Sequence, residues 1–189
     1  MAQGILSLLT SRRTTYEYAN RQVGDSDLMA VLEAARWSPS FLNLQPWQFI
    51  IIKNKEMIKK LLEQAYYGVY HCNDYECRPP AIIAIVMKKK YYEGQYGYPR
   101  RDKPGIFEAH LSISMPAMNM VLAAHERGLA SCILNVNVQQ ASRLLGLSGG
   151  DTIPLIVCLG YARPGDKSPR KPRKNLESLL YYEKHGNRK

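Results

Sequence analysis

Apolar positions along this chain fall into two rhythms, one of helical spacing and one of short continuous runs, and their order outlines the fold. Ile5, Leu6, Leu8 and Leu9 suggest a short amphipathic helix ending around Ser11. Leu28, Val31, Leu32 and Ala35 recur one helical turn apart, after Asp25 and Ser26, either of which can cap first-turn amides. That helix should end near Trp37. Phe49 to Ile52 is a β-branched and aromatic run, the pattern of a buried strand, and Met57 to Ala65 returns to helical spacing. Pro79-Pro80 introduces a second strand, Ala81 to Met87. A long helix is expected from Ile106 to about Arg127, kinked or broken at Pro116 and terminated by Gly128. Ser131 to Val136, Val138 to Leu147 and Ile153 to Leu159 then read as strand, short helix and strand, and Leu176 to Tyr182 as a last amphipathic segment.

About four strands without strict βαβ alternation point to an α+β fold and not to a doubly wound sheet. With 189 residues the chain is long enough for one hydrophobic core and short for two, so a single domain spanning 1–189 is expected. The Tyr- and Gly-rich stretch at about 91–104 has no period and reads as a flap, and about 164–189 as a C-terminal arm.

Between the second helix and the first strand, two prolines constrain a polar loop. Pro39 and Pro46 bias Ser38 and Gln45 away from helical geometry, leaving Ser40, Asn43 and Gln45 on an extended or turned backbone. Such side chains suit the edge of a heteroaromatic ligand. They equally suit an ordered connection with no ligand, and spacing alone does not separate the two.

The formal charge of +10 admits nucleic acid, a membrane surface or a phosphate-bearing small molecule. Its clusters, Arg12-Arg13, Lys88 to Lys90, Arg100 to Lys103 and Lys167 to Lys174, lack the helix-spaced array of a nucleic-acid reader, so no nucleic-acid partner is expected. Ala81 to Met87 is too short to cross a bilayer, and Met1 to Leu6 lacks a secretion signal, so a cytoplasmic protein without a membrane partner is expected. His71-Cys72-Asn73-Asp74-Tyr75-Glu76-Cys77 gathers ligand-type side chains but not the second pair a structural zinc site needs, and no metal is assigned. Cys132 and Cys158 lie in apolar runs and read as buried thiols. G-x-G-x-x-G, P-loop and G-x-S-x-G patterns are absent.

Taken in order, Arg12-Arg13-Thr14, Ser38-Pro39-Ser40 through Asn43, Gln45-Pro46-Trp47, Gly128-Leu129-Ala130-Ser131-Cys132 and Lys171-Pro172-Arg173-Lys174 resemble the nitroreductase family of FMN-dependent oxidoreductases. The likeness runs from about Ile5 to Glu183. It implies a three-layer fold with a central, mostly antiparallel sheet flanked by helices and a C-terminal segment exchanged with a partner subunit. It also implies a homodimer with FMN at the subunit interface. By resemblance, Arg12, Arg13, Thr14 and Tyr16 take FMN-binding positions, and Lys171 and Arg173 complete the phosphate site. Pro39, Ser40, Phe41, Asn43 and Gln45 form the loop offered to the opposite subunit's flavin. Leu134 and Asn135 belong to the segment whose backbone approaches flavin N5, and Asn73 matches an asparagine near the ring. Many members carry Lys or Arg where this chain has Tyr16, which offers a hydrogen bond and no charge.

The resemblance implies hydride transfer from NADH or NADPH through flavin N5 to a nitroaromatic, quinone or similar acceptor, by a ping-pong mechanism. No side chain is assigned a catalytic role, His71, His110, His125 and His185 included, because the cofactor carries the hard step. The alternatives are dehalogenation or flavin fragmentation within the same family, and a non-enzymatic flavin-binding protein.

Overall fold

The computed structural model describes residues 4–66, 77–92, 105–166 and 171–187. Four strands, β1 (Trp47–Ile52), β2 (Ala81–Met87), β3 (Ala130–Asn135) and β4 (Thr152–Gly160), form one sheet in the order β1-β2-β4-β3. Every neighbouring pair is antiparallel, as the expected sheet requires.

Helices cover both faces of this sheet, which is why β2 is apolar at every position and buried throughout. Its alternate side chains divide between two cores. Ile82, Ala84 and Val86 join Ile156, Cys158, Cys132 and Leu134 on the face packed by α3 (Lys55–Lys60) and α5 (Val138–Leu144). Ala81, Ile83, Ile85 and Met87 join Val157 and Leu159 on the face packed by α2 (Asp25–Arg36) and α4 (Ile106–Glu126). The register agrees, with Ile82 opposite Cys158 and Ile83 opposite Val157. A one-residue slip would exchange the two cores and is thereby excluded. The fold is α+β, in three layers.

Local chemistry explains most element ends, with some departures from the pattern. Leu28, Val31 and Ala35 are the buried stripe of α2, and the helix stops at Trp37 as its spacing suggests. Its N-cap is Gly24, with no side-chain cap, so Asp25 and Asp27 act from within the first turn by complementing the helix dipole. The expected cap at Asp25 or Ser26 is therefore displaced by one residue. The helix expected to Ala65 changes pitch: α3 passes at Leu61–Ala65 into a π turn, closed by Tyr66 N–H donating to Leu61 O at 3.1 Å. α4 runs unbroken through Pro116. It ends at a Schellman motif, in which Gly128 takes φ 73°, Leu129 N–H donates to Ala124 O at 2.8 Å and Gly128 N–H to His125 O at 3.0 Å. Leu176–Leu179, expected within an amphipathic segment, is a short 3-10 turn.

Among the described residues, apolar side chains are exposed on α4 and along the C-terminal segment. Phe107, Leu111, Met115 and Met118 form a second apolar stripe on α4, each between 39% and 51% exposed, and α1 (Ile5–Ser11) carries exposed Ile5, Leu6 and Leu9 beside it. The segment 171–187 is exposed along its whole length, with Leu176, Leu179, Leu180, Tyr181 and Tyr182 among its side chains. Of the expected flap, only Tyr91 and Tyr92 lie among the described residues, at the end of a 3-10 turn; Asn73 and Cys72 lie outside them. Cys77 is disulfide-bonded, while Cys132 and Cys158 are free and buried. Among the described residues, no helix is long and apolar enough to cross a membrane.

Candidate functional site

Two groups of predicted residues occupy different ends of the same helix. The first begins where α1 stops. Arg12 caps that helix in an extended conformation, and the chain then runs beside the start of β3, with Thr14 bridged to Ser131 and Thr15 N–H donating to Ser131 O at 3.1 Å. Tyr18 pairs with Ala162 and Ala19 N–H donates to Tyr161 O at 2.8 Å, so residues 14–19 form an added edge to the sheet. This places Arg12, Thr14 and Tyr16 alongside β3, the strand that ends in Leu134 and Asn135.

The electrostatics of this corner are set by burial and by Arg12. Ser11 Oγ hydrogen-bonds His125 Nε2 at 2.8 Å, tying the end of α1 to the last turn of α4. Burial lowers the affinity of the His125 imidazole for a proton, and the nearby Arg12 guanidinium lowers it further. Burial pushes the Cys132 thiol up to about 12, against the opposing pull of Arg12 and of a hydrogen bond with Tyr16. Burial also raises the Tyr16 phenol above its ordinary value, with Cys132 and Tyr66 adding to the shift. At neutral pH both groups therefore stay protonated and neutral, so Tyr16 presents a dipole and not a charge. Arg13 pairs with Asp166 at 3.2 Å, whose carboxylate is nearly buried.

Leu134 is buried in the core opposite Ile156, so only its backbone can meet a ligand, whereas Asn135 is exposed at the strand end. Lys171 and Arg173 lie on the exposed tail, where Arg173 Nη1 donates to the Lys171 carbonyl at 3.3 Å. No hydrogen bond or ion pair among the described residues brings that pair to Arg12.

The second group is the proline-bounded loop. Phe41–Asn43 forms a 3-10 turn whose backbone is strained: Leu42, Asn43 and Gln45 have φ of 48°, 54° and 47°. Left-handed backbone costs roughly 1–2 kcal/mol for a residue with a Cβ, least for asparagine, so three within four positions must be held by their surroundings. Inside the loop, Gln45 N–H donates to Ser40 Oγ at 2.9 Å, and Gln45 Nε2 lies 3.3 Å from both Asn43 O and Asn43 Oδ1. From outside, α4 supplies two contacts. Ser112 Oγ accepts from Phe41 N–H at 3.2 Å, and Asn119 Nδ2 donates to Ser38 Oγ at 2.8 Å and Ala34 O at 3.3 Å. Pro39, Asn43 and Gln45 stay exposed, and Ser40 and Phe41 are half-buried.

Along α4, the Ser112 contact and the His125 contact are 13 residues apart, roughly 20 Å at the rise of an α-helix. The structure thus gathers Arg12, Thr14 and Tyr16 at one end and Pro39, Ser40, Phe41, Asn43 and Gln45 at the other. Sequence reading missed Ser11, Asp166 and His125, whose partners lie up to 114 residues away. It also missed Ser112 and Asn119, although polar residues on an otherwise apolar helix face were a usable signal.

The Nitroreductase family model matches residues 9–70 and 72–161 of the chain. A protein of Archaeoglobus fulgidus with the provisional name NADH dehydrogenase/NAD(P)H nitroreductase is 29% identical over 163 residues, covering 84% of this chain and 85% of that protein. A nitroreductase family protein of Clostridium difficile 630 superposes with a TM-score of 0.76 at 27% identity, covering 96% of this chain and 99% of that one. An FMN-dependent nitroreductase of Clostridium difficile R20291 superposes with a TM-score of 0.71 at 22% identity, covering 96% and 98%, a likeness of fold.

Proposed function

Because this chain belongs to the nitroreductase family, we propose that it is an FMN-dependent oxidoreductase that takes reducing equivalents from NADH or NADPH. It delivers them to a nitroaromatic, quinone or similar small acceptor in a ping-pong sequence. Bound FMN supplies hydride acceptance and donation at N5.

The observation that carries the reading is the separation of two half-sites on one chain. Arg12 and Thr14 offer a guanidinium and a hydroxyl at the end of α1, the donor chemistry of a phosphate and ribityl site. Ser40, Asn43 and Gln45 offer amide and hydroxyl groups that suit a flavin ring edge, and their loop meets α4 at Ser112 and Asn119, roughly 20 Å and about 9 Å along the helix from His125. Two copies related by a twofold axis bring the groups together when each supplies its arginine corner to one flavin and its loop to the other.

The exposed stripe of Phe107, Leu111, Met115 and Met118, with Ile5, Leu6 and Leu9 beside it, supports an interface between the copies, because apolar side chains aligned on one face gain most from being covered. The tail supports an arm reaching the second copy. Leu176 and Leu179 are more than half exposed, and crossing over would carry Lys171 and Arg173 to the phosphate site beside Arg12. Arg13 is engaged by Asp166 in the free chain. Tyr16, protonated at neutral pH, brings no charge where a cation would favour an anionic reduced flavin.

The test is a visible spectrum of the purified protein followed by NADH or NADPH without oxygen. Flavin absorbance that bleaches and returns on adding a nitroaromatic or quinone is the expected result. Protein that binds no FMN, or holds FMN that neither donor bleaches, overturns the reading.

A further inference from the structure

The loop that carries Ser40 and Asn43 is held both from within and from outside. Within the strained stretch, Gln45 N–H donates to Ser40 Oγ, Gln45 Nε2 to Asn43 Oδ1, Asn43 N–H to Ser40 O and Leu44 N–H to Phe41 O. From the body of the fold, Lys88 N–H donates to Pro46 O at its far end, and one face of α4 supplies side chains to its near end. Ser112 and Asn119 are seven residues apart, two helical turns, and so project to the same side. Ser112, 5% exposed, commits its proton to the Glu108 carbonyl at 2.9 Å and thereby presents only lone pairs to the Phe41 amide. Asn119 bridges Ser38 Oγ and the Ala34 carbonyl, so the last turn of α2 and the first residue of the loop are fixed by one amide. Between these anchors the backbone must turn from extended Ser40 into left-handed Leu42 and Asn43. On the neighbouring flank of the same two turns, roughly a quarter-turn round the helix, lie Leu111, Met115 and Met118, the apolar stripe assigned above to the second copy.

We infer that Ser112 and Asn119 are positioning residues that hold this loop in its strained, flavin-ready form, so that each copy sets the FMN affinity of the site on the other. The inference rests on the reading above. It adds that α4 works as a template with two faces, one ordering the loop and one meeting the second copy. Without the anchors the loop relaxes toward ordinary backbone, and FMN binding has to impose the strained form at a cost in affinity.

The experiment is an FMN titration of wild-type protein and of the Ser112→Ala and Asn119→Ala variants, followed by flavin fluorescence, with far-UV circular dichroism to confirm folding. Ser112→Ala removes the acceptor of the Phe41 amide and Asn119→Ala removes both bonds of the Asn119 amide; each should weaken FMN about tenfold, and Ser112→Thr, which keeps the acceptor, should restore most of the loss. Should Ser112→Ala fail to fold, Ser38→Ala removes a contact from the loop side and reads the second anchor with α4 untouched. A differently tagged heterodimer of Arg12→Ala with Ser112→Ala then separates transfer between copies from an effect within one. If each loop serves the other copy, one site carries both lesions and one carries neither, giving a single FMN per dimer at wild-type affinity. Two equally weakened sites, or alanine variants with wild-type affinity, overturn the inference while leaving the flavin reading intact. Wild-type protein that takes up no FMN overturns both.

Discussion

The hydroxyl of Ser11 and Nε2 of His125, 2.8 Å apart, join the last residue of α1 to the last turn of α4 and so fix where Arg12 leaves the helix. The pairing has a pH signature. Burial, reinforced by Arg12, lowers the pKa of His125 below its ordinary 6.5, so the unfolded chain binds the proton more readily than the folded one. The contribution to stability is complete above 6.5 and is lost as pH falls through the folded-state value. Thermal midpoints measured from pH 7.5 to 5.5 should decline, and His125→Gln, which keeps an acceptor for Ser11 and cannot charge, should flatten that decline.

Arg12→Ala should weaken FMN by about thirtyfold, the scale of one or two charge-assisted hydrogen bonds, with Arg12→Lys intermediate because an ammonium keeps the charge but not the fork. Fluorescence titration at fixed ionic strength measures both. Equal affinity in all three proteins would remove Arg12 from the phosphate site.

Gly160 closes β4 where a Cβ would lie 2.6 Å from Pro80 Cδ and 2.6 Å from Tyr18 Cδ1. Both neighbours are rings that cannot swing aside. Gly160→Ala should therefore cost roughly 1–3 kcal/mol, the range for overpacking a core, read as a lower midpoint in urea with an unchanged slope.

Ending the chain at Asp166 removes a segment whose described residues are all exposed. Far-UV circular dichroism should hardly change. Light scattering should show weaker dimerisation and titration weaker FMN binding, if the arm crosses to the second copy. An unchanged mass and affinity would confine Lys171 and Arg173 to solvent.

Tyr16→Lys should raise the midpoint potential of bound flavin by about 30 mV, a tenfold shift in a two-electron equilibrium, because an ammonium stabilises negative charge that a neutral phenol does not. Spectroelectrochemical titration decides it. Tyr16→Phe should move the potential less.

Much of the scaffold was legible before any coordinates. β2 announces itself because a strand buried on both faces must be apolar at every position, and α2 because Leu28, Val31 and Ala35 repeat with one turn of a helix. Gly128 ends α4 as expected, since only a residue tolerant of positive φ closes that motif cheaply. The cap at Gly24 and the π turn at Leu61 were not legible, because several local hydrogen-bond schemes compete there within a fraction of a kcal/mol. In the site, the prolines marked the loop as constrained, but nothing in a leucine foretells φ of 48° at Leu42. The side chains that meet the loop on either side of it, Ser112 and Asn119, lie some 70 to 80 residues further on. His125 was set aside for the same reason, since its meaning lies in a contact across 114 residues.

The sheet order β1-β2-β4-β3 also ranks how readily parts of the molecule open. Amides of Ile82 to Ile85 and Ile156 to Cys158 lie in the two middle strands under two helical layers, and should be the last to exchange with deuterium. Arg12 to Tyr16 hang from one rim by a few bridges, and the proline-bounded loop from another. A cofactor held between such rims would slow the exchange of both while leaving the centre unchanged, and would act as a clasp on the protein's least durable parts.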